Sequence, residues 1–363
     1  LSPNEGTVEL LIGASYVDVR SENLSFSSKL IDGKYPDYNK VFPTGEPLPL
    51  EISKEILQSA LSRASVLSNE KYRGVRFQLS ENKVVLLGTK GGPRMEKGLS
   101  WSTCSVIEVN GHPYIVDCGL GVTRQFVEAG YSLSQVDNIF LTHHHSDHNL
   151  EFGPLVHTLW TSGTSDKVDV YGPEGTKNLL SGFLKSLEID IKVRIEDEKQ
   201  RDLESIINVK EISEGVIMQD ERVKVSALKV VHGLLENCFA FKFETENKKV
   251  VFSGDTIFFP PLIDFAKDAD VLVHEVMLKR GIEVLAERLK KVKPNLIEHL
   301  MISHTTAEDA AKIAKEANVK HLVFNHYVPH IPGEFPISEF SDAASKVWDG
   351  KITAGYDLCE IDF

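Results

Sequence analysis

Long apolar runs are missing from this 363-residue chain. No stretch reaches the roughly 18 apolar residues that a membrane-crossing helix requires, so no membrane partner is expected. The opening Leu1-Ser2-Pro3-Asn4-Glu5-Gly6 lacks the basic-then-apolar order of a secretion signal, and the expected location is the cytoplasm. Cysteine is scarce and scattered: Cys104, Cys118, Cys238 and Cys359 include no C-x-x-C pair, which argues against a zinc ribbon and against a disulfide framework. Basic charge is in deficit, with 40 Lys and Arg against 53 Asp and Glu, a net charge of -13. Such a chain has little general attraction for phosphate backbones, so no nucleic-acid partner is expected. The glycine loop in Val84 to Pro93 lacks the Lys-Ser/Thr ending of a phosphate-binding P-loop, leaving Gly91 and Gly92 as turn residues near a site.

Histidine, by contrast, is concentrated. Thr142 to His148 contains H-x-H-x-D-H directly after the apolar run Val136 to Leu141, which reads as a buried strand. Imidazoles two residues apart, then a carboxylate and a third imidazole on the next turn, suit a first-row metal such as Zn²⁺. Further polar groups recur at strand ends: His232 after Val230 and Val231, Asp255 after Val250 to Phe252, His274 and Glu275 after Val271 to Val273, and His326 after Leu322 to Phe324. Strand ends converge on one edge of a sheet, so this series points to a metallohydrolase.

Short β-like runs, 8–12, 16–20 and 24–31, open the chain, followed by a proline-punctuated loop, a helix capped by Ser53 and strands at 74–79 and 83–87. The runs Phe26 to Tyr38 and Leu67 to Arg76 resemble the bacterial DNA polymerase sliding clamp. The resemblance covers too little to build a ring, and implies a clamp-like module over 1–83 that serves in self-association, giving a homodimer, or as a lid. From Val84 onward, a hairpin about Asn110-Gly111 precedes alternating helices and strands, which predicts an α+β fold, an αββα sandwich with its chemistry on loops at one edge. Residues 185–221 are charged and weakly patterned, and are expected to be an insertion or peripheral strands.

The whole pattern over 84–363 resembles the metallo-β-lactamase superfamily. That resemblance implies a catalytic domain with two Zn²⁺, one held by His143, His145 and His232, the other by Asp147, His148 and His326, with Asp255 shared between them. It implies a shared hydroxide as nucleophile, oriented or deprotonated by Asp147. His274-Glu275 and Ser303-His304 resemble the tRNA 3′-processing and arylsulfatase branch, which implies that His304 protonates a leaving group and that Glu275 orients it. Phe152, Leu155, Trp160, Phe258 and Phe259 are expected to line an apolar pocket for a small hydrophobic substrate. An apolar pocket, dizinc ligation and a clamp-like module together resemble the bacterial isothiocyanate hydrolases, and imply conversion of isothiocyanates to amine and carbonyl sulfide. The alternatives are an arylsulfatase or phosphodiesterase of the same superfamily and, in another class, a DNA-replication accessory binding protein.

Overall fold

The computed structural model describes residues 9–12, 16–21, 24–29, 57–58, 61, 82–95, 97–164, 167–291, 294–331 and 333–363. The chain divides into two compact units, Leu1–Phe77 and Gln78–Phe363. In the first, β1 (Glu9–Ile12), β2 (Tyr16–Ser21) and β3 (Leu24–Lys29) form an antiparallel sheet. Most of the helix expected from Ser53, the strand at 74–79, and the clamp-like runs 30–38 and 67–76 lie outside the described residues.

The second unit contains two seven-stranded sheets. One comprises β4 (Asn82–Gly88), β5 (Cys104–Val109), β6 (His112–Val116), β7 (Asn138–Phe140), β8 (Val168–Gly172), β9 (Ile207–Glu211) and, beyond β4, the last strand. The other runs in chain order through β10 (Gly215–Gln219), β11 (Lys224–His232), β12 (Leu235–Glu244), β13 (Lys249–Phe252), β14 (Val271–Met277), β15 (His321–Val328) and β16 (Lys351–Ala354). The last strand, β17 (Cys359–Asp362), pairs with β4. Each sheet is antiparallel on one side and parallel on the other, the parallel strands being β6 to β9 and β13 to β16.

The strand period of two explains why these strands read as continuous apolar runs. In β4, Val84 and Leu86 point between the sheets, where they meet Phe140, Phe241, Phe243 and Val273, whereas Val85 and Leu87 point outward beneath the helices Val122–Glu128 and Phe152–Thr161. In β15, Val323 faces the inter-sheet core and Leu322 and Phe324 face the helices Ala307–Glu316 and Ser338–Ser345. Both faces of both sheets are therefore buried, and the architecture is the αββα sandwich of the metallo-β-lactamase fold. Each fully buried Leu or Phe stabilises it by about 1.5–3 kcal/mol. The expected hairpin forms with Asn110 and Gly111 both at positive φ, 51° and 76°, as a two-residue turn of this twist requires.

Residues 185–221 depart from the expectation. They include the end of the helix Thr176–Ser186, the whole helices Glu188–Asp197 and Leu203–Ile206, and only then the edge strands β9 and β10. The helix Glu188–Asp197 buries only Ile191 and leaves Ile189 83% exposed. It carries i,i+4 ion pairs, Lys192 with Glu188 and Arg194 with Asp190 and Glu198, in place of an apolar face. Among the described residues, no helix is long and apolar enough to cross a membrane.

Candidate metal centre

The parallel strands aim their C-terminal ends at one place. After β7, Thr142 anchors the loop through Asp117, whose Oδ1 accepts from the Thr142 N–H at 2.8 Å. The short turn Ser146–Asn149 then brings Asp147 and His148 round to the histidines before it. Close packing holds this turn: the Cys118 N–H donates to the His148 carbonyl at 2.6 Å, and a Cβ on Gly119 would sit 2.3 Å from the Asp147 carbonyl oxygen. His232 ends β11, Asp255 follows β13, and His326 sits in β15 at φ 48°, opposite the irregular pairing of Glu275 and Val276.

Three imidazole nitrogens converge first. His145 Nδ1 lies 3.2 Å from His143 Nε2 and 2.9 Å from His232 Nε2. Nitrogens at tetrahedral positions about a zinc, each about 2.05 Å from it, would be about 3.3 Å apart. Asp255 Oδ2 lies 3.8 and 3.7 Å from the His143 and His232 nitrogens, and 3.4 and 3.1 Å from Nε2 of His148 and His326. Asp147 Oδ2 completes the second group, 3.2 Å from His326 Nε2 and 3.7 Å from His148 Nε2. The seven residues thus form two clusters, His143, His145, His232 and Asp255 in one and Asp147, His148 and His326 in the other, with Asp255 also grouped with His304 and His326; donors within each group lie within 4.8 Å of one another. Nε2 of His148 is buried with no hydrogen-bond partner. An imidazole lone pair stranded among carboxylates and other imidazoles is what a cation would relieve, so the donor set fits divalent metal.

A surrounding layer fixes the rings. His232 Nδ1 donates to the Ser303 carbonyl at 2.6 Å, His148 Nδ1 donates to Asp117 Oδ2 at 2.7 Å, and His143 Nδ1 lies 2.9 Å from Thr142 Oγ1. For His148 and His232 this leaves the Nε2 lone pair facing the centre. Burial holds His143 and His145 below the usual imidazole range and His232 down to about 4, which keeps them neutral. Burial also opposes charge on His148, but Asp255, Asp117 and Asp147 outweigh it and raise that ring's pKa. The Asp147 and Asp255 carboxyls lie below the usual range because neighbouring histidines, His148 and His326 foremost, outweigh their burial.

His304 lies beside the clusters with Nδ1 2.9 Å from Glu275 Oε2 and 4.0 Å from Asp255 Oδ2. Burial lowers the His304 pKa and raises that of Glu275, so the two can share one proton across that contact. Glu275 is itself held by the Thr256 N–H, 2.8 Å from Oε1. His304, Asp147, Asp255 and His326 border a cavity of about 600 Å³.

The five residues expected to line an apolar pocket do not border this cavity. Phe152, Leu155 and Trp160 are buried in the core beneath the first sheet, and Phe258 and Phe259 pack on the core of the second. None of the five lines the cavity, because the helix Phe152–Thr161 turns its apolar face to the sheet and not to the strand ends. The wall contains Lys90 and Arg94, the leucines 285, 289, 296 and 300, and the histidines 299 and 330, which the sequence did not mark as site residues. His157, close to the motif in sequence, pairs with Asp190 at 2.8 Å. His144 turns away to the Glu174 carbonyl. Sequence reading also missed Asp117 and the Gly92 N–H, which donates to Asp147 Oδ2 at 2.6 Å. Asp117 carries the same signal as Asp255, a carboxylate directly after an apolar strand.

The family described as Anti-Pycsar protein Apyc1 matches over residues 83–328, a span that holds all seven clustered residues and the His304–Glu275 pair. A shorter match, to the C-terminal domain of the DNA polymerase III beta subunit, spans 39–93. Among curated proteins, ribonuclease Z of Mycobacterium sp. (strain KMS) is 29% identical over 283 residues, covering 77% of this chain and 95% of that protein. Ribonuclease Z of Mycobacterium marinum is 28% identical over 283 residues, with 77% and 98% covered. Among solved structures, the metallo-β-lactamase fold protein YhfI of Bacillus subtilis has a TM-score of 0.59 at 18% identity, covering 78% of this chain and 99% of its own. The short form of human tRNase Z has a TM-score of 0.54 at 19% identity, with 77% and 98% covered. These relatives overturn the isothiocyanate hydrolase expectation. Ribonuclease names likewise run against a small hydrophobic substrate and against the exclusion of nucleic acid, since net charge over a whole chain does not describe one cavity. The chain is a metal-dependent hydrolase of this fold.

Proposed function

Because this chain belongs to the Apyc1 family of anti-Pycsar proteins, we propose that its hydrolase centre is a phosphodiesterase, cleaving a P–O ester bond in a ribonucleotide-type substrate. The observation that carries this reading is the His304–Glu275 pair, 2.9 Å apart, with His304 bordering the same cavity as Asp147 and Asp255. An alkoxide leaving a phosphodiester is strongly basic, so its departure needs a proton delivered at the oxygen; a buried histidine backed by a carboxyl can supply it. The ribonuclease Z relatives support the same bond type.

We assign His143, His145, His232 and Asp255 to one metal, and Asp147, His148, His326 and the same Asp255 to the other, with zinc as the metal. Metal bound there would supply Lewis acidity and a water acidified to a pKa of about 7. Asp255 places one carboxylate oxygen between the two groups. Asp147, fixed by the Gly92 N–H, accepts a proton from an attacking water or orients it. Asp117, Thr142 and the Ser303 carbonyl hold the imidazole rings. His304 gives its proton to the leaving oxygen, and Glu275 holds the ring so that this proton sits on the cavity side. The N-terminal unit is proposed to join two copies of the chain; sedimentation as a monomer would overturn that assignment.

The reading is tested with zinc-loaded protein on matched nitrophenyl esters. The diester bis(p-nitrophenyl) phosphate should be cleaved at least tenfold faster than the phosphate monoester and the aryl sulfate. Preference for the sulfate would move the centre to the arylsulfatase branch.

A further inference from the structure

Lys90 has no role so far, and its setting is unusual. It is 1% exposed and ranks among the largest fully buried side chains. Its main chain is clamped: the Lys90 N–H donates to the Trp101 carbonyl at 2.9 Å, the Lys90 carbonyl accepts from Thr103 Oγ1 at 3.1 Å, and the neighbouring Thr89 carbonyl accepts from the Tyr327 N–H at 3.1 Å. The next residue lies against the centre, since a Cβ on Gly91 would come within 2.9 Å of the His326 ring. Lys90 is among the residues that line the cavity, and its ammonium donates to the Gly92 carbonyl. Among the described residues Lys90 forms no ion pair; Asp147 and Asp357 act on it only through space. An ammonium so placed, with a backbone carbonyl as partner and no direct counter-ion, is less well solvated than in water.

We propose that Lys90 is the group that binds the substrate's charge, its ammonium donating to a non-bridging oxygen of an anionic phosphoryl group in the cavity bordered by Asp147, Asp255 and His304. This rests on the phosphodiesterase reading. Gly92 joins the two ends of that arrangement, its carbonyl accepting from the Lys90 ammonium and its N–H donating to Asp147. Charge recognition and the placing of Asp147 therefore share one loop. A lysine is a compact point charge, suited to one oxygen of a tetrahedral group where a planar guanidinium would span two.

The test compares Lys90→Met, which keeps length and removes charge, with Lys90→Arg and the parent protein, all zinc-loaded. Three readouts are needed: kinetics on anionic bis(p-nitrophenyl) phosphate, kinetics on neutral diethyl p-nitrophenyl phosphate, and binding of inorganic phosphate by calorimetry. Lys90→Met should raise KM for the diester and Kd for phosphate by about tenfold to a hundredfold, the worth of a charge-assisted hydrogen bond. It should leave zinc content and the neutral ester within about twofold, and Lys90→Arg should recover part of the loss. Equal losses on both esters would show that Lys90 only holds the loop, and unchanged phosphate binding would remove it from substrate binding; either overturns the proposal. Where the parent cleaves neither ester, phosphate binding decides for Lys90 alone: Lys90-dependent binding without diester cleavage would sink the phosphodiesterase reading and keep the anion site.

Discussion

Replacing Asp117 by Asn should weaken one metal position and spare the other. Asp117 is 3% exposed and accepts through both oxygens, from His148 Nδ1 at 2.7 Å on Oδ2 and from the Thr142 N–H at 2.8 Å on Oδ1, with Thr142 Oγ1 at 3.0 and 2.9 Å from the two. Asparagine keeps the shape but turns one oxygen into an NH₂ that cannot accept. The remaining oxygen can serve the Thr142 N–H or His148, not both. The bond lost is to a charged acceptor and is worth about 1.5–3 kcal/mol. At about 1.4 kcal/mol per tenfold, zinc affinity at the Asp147, His148 and His326 position should fall by about tenfold to a hundredfold, the range usual for groups that orient a ligand. His143 touches Thr142 Oγ1 but not Asp117, so its position should stay within about threefold. Titration with zinc against a chromophoric chelator reads the two positions as successive steps. Two steps that match the parent, or that weaken equally, would refute this division of the site.

Asp255→Ala should abolish tight binding at both positions, read as metal retained after dialysis; a variant keeping two ions would break the shared-oxygen assignment. His304→Ala should retain metal yet lose about a hundredfold or more in kcat on diesters with alkoxide leaving groups, with a smaller loss on nitrophenolate, which leaves without a proton. Gly119→Ala should cost about 1–3 kcal/mol in urea unfolding, because its Cβ would meet the Asp147 carbonyl at 2.3 Å and the Thr103 carbonyl at 2.7 Å. His321 is held down to about 4 by burial and by Lys351, so the unfolded chain, near 6.5, takes up the proton first. Its share of stability is complete above about pH 6.5 and is lost as pH falls towards 4, by roughly 1–3 kcal/mol. His321→Gln should therefore flatten the unfolding free energy over that window, and identical slopes in the two proteins would contradict it.

Where side chains follow from strand period and strand end, the sequence was readable. H-x-H-x-D-H, His232, Asp255 and His326 all follow apolar strands, and the structure gathers them because those strands end at one edge. The αββα layers were legible for the same reason, since β4, β14 and β15 are apolar on both faces. The cavity was not legible. Its wall comes from residues 90–94, from the helices Lys279–Leu289 and Leu296–Met301 and from residues 328–331, joined only in space, whereas the aromatic residues near the motif in sequence face inward. Lys90 was hidden by its neighbours, reading as part of a glycine turn. The helix Glu188–Asp197 escaped notice because ion pairs stand where an apolar stripe would have marked it.

The central claim is that two metal ions in this centre make a phosphodiesterase. Metal-free protein titrated with zinc while bis(p-nitrophenyl) phosphate cleavage is followed tests it most directly. Cleavage should be absent without metal, rise with loading, reach its plateau at two ions per chain and vanish again on chelation. Diester cleavage that is the same with and without metal, or two tightly bound ions with no diester cleaved, would contradict the account.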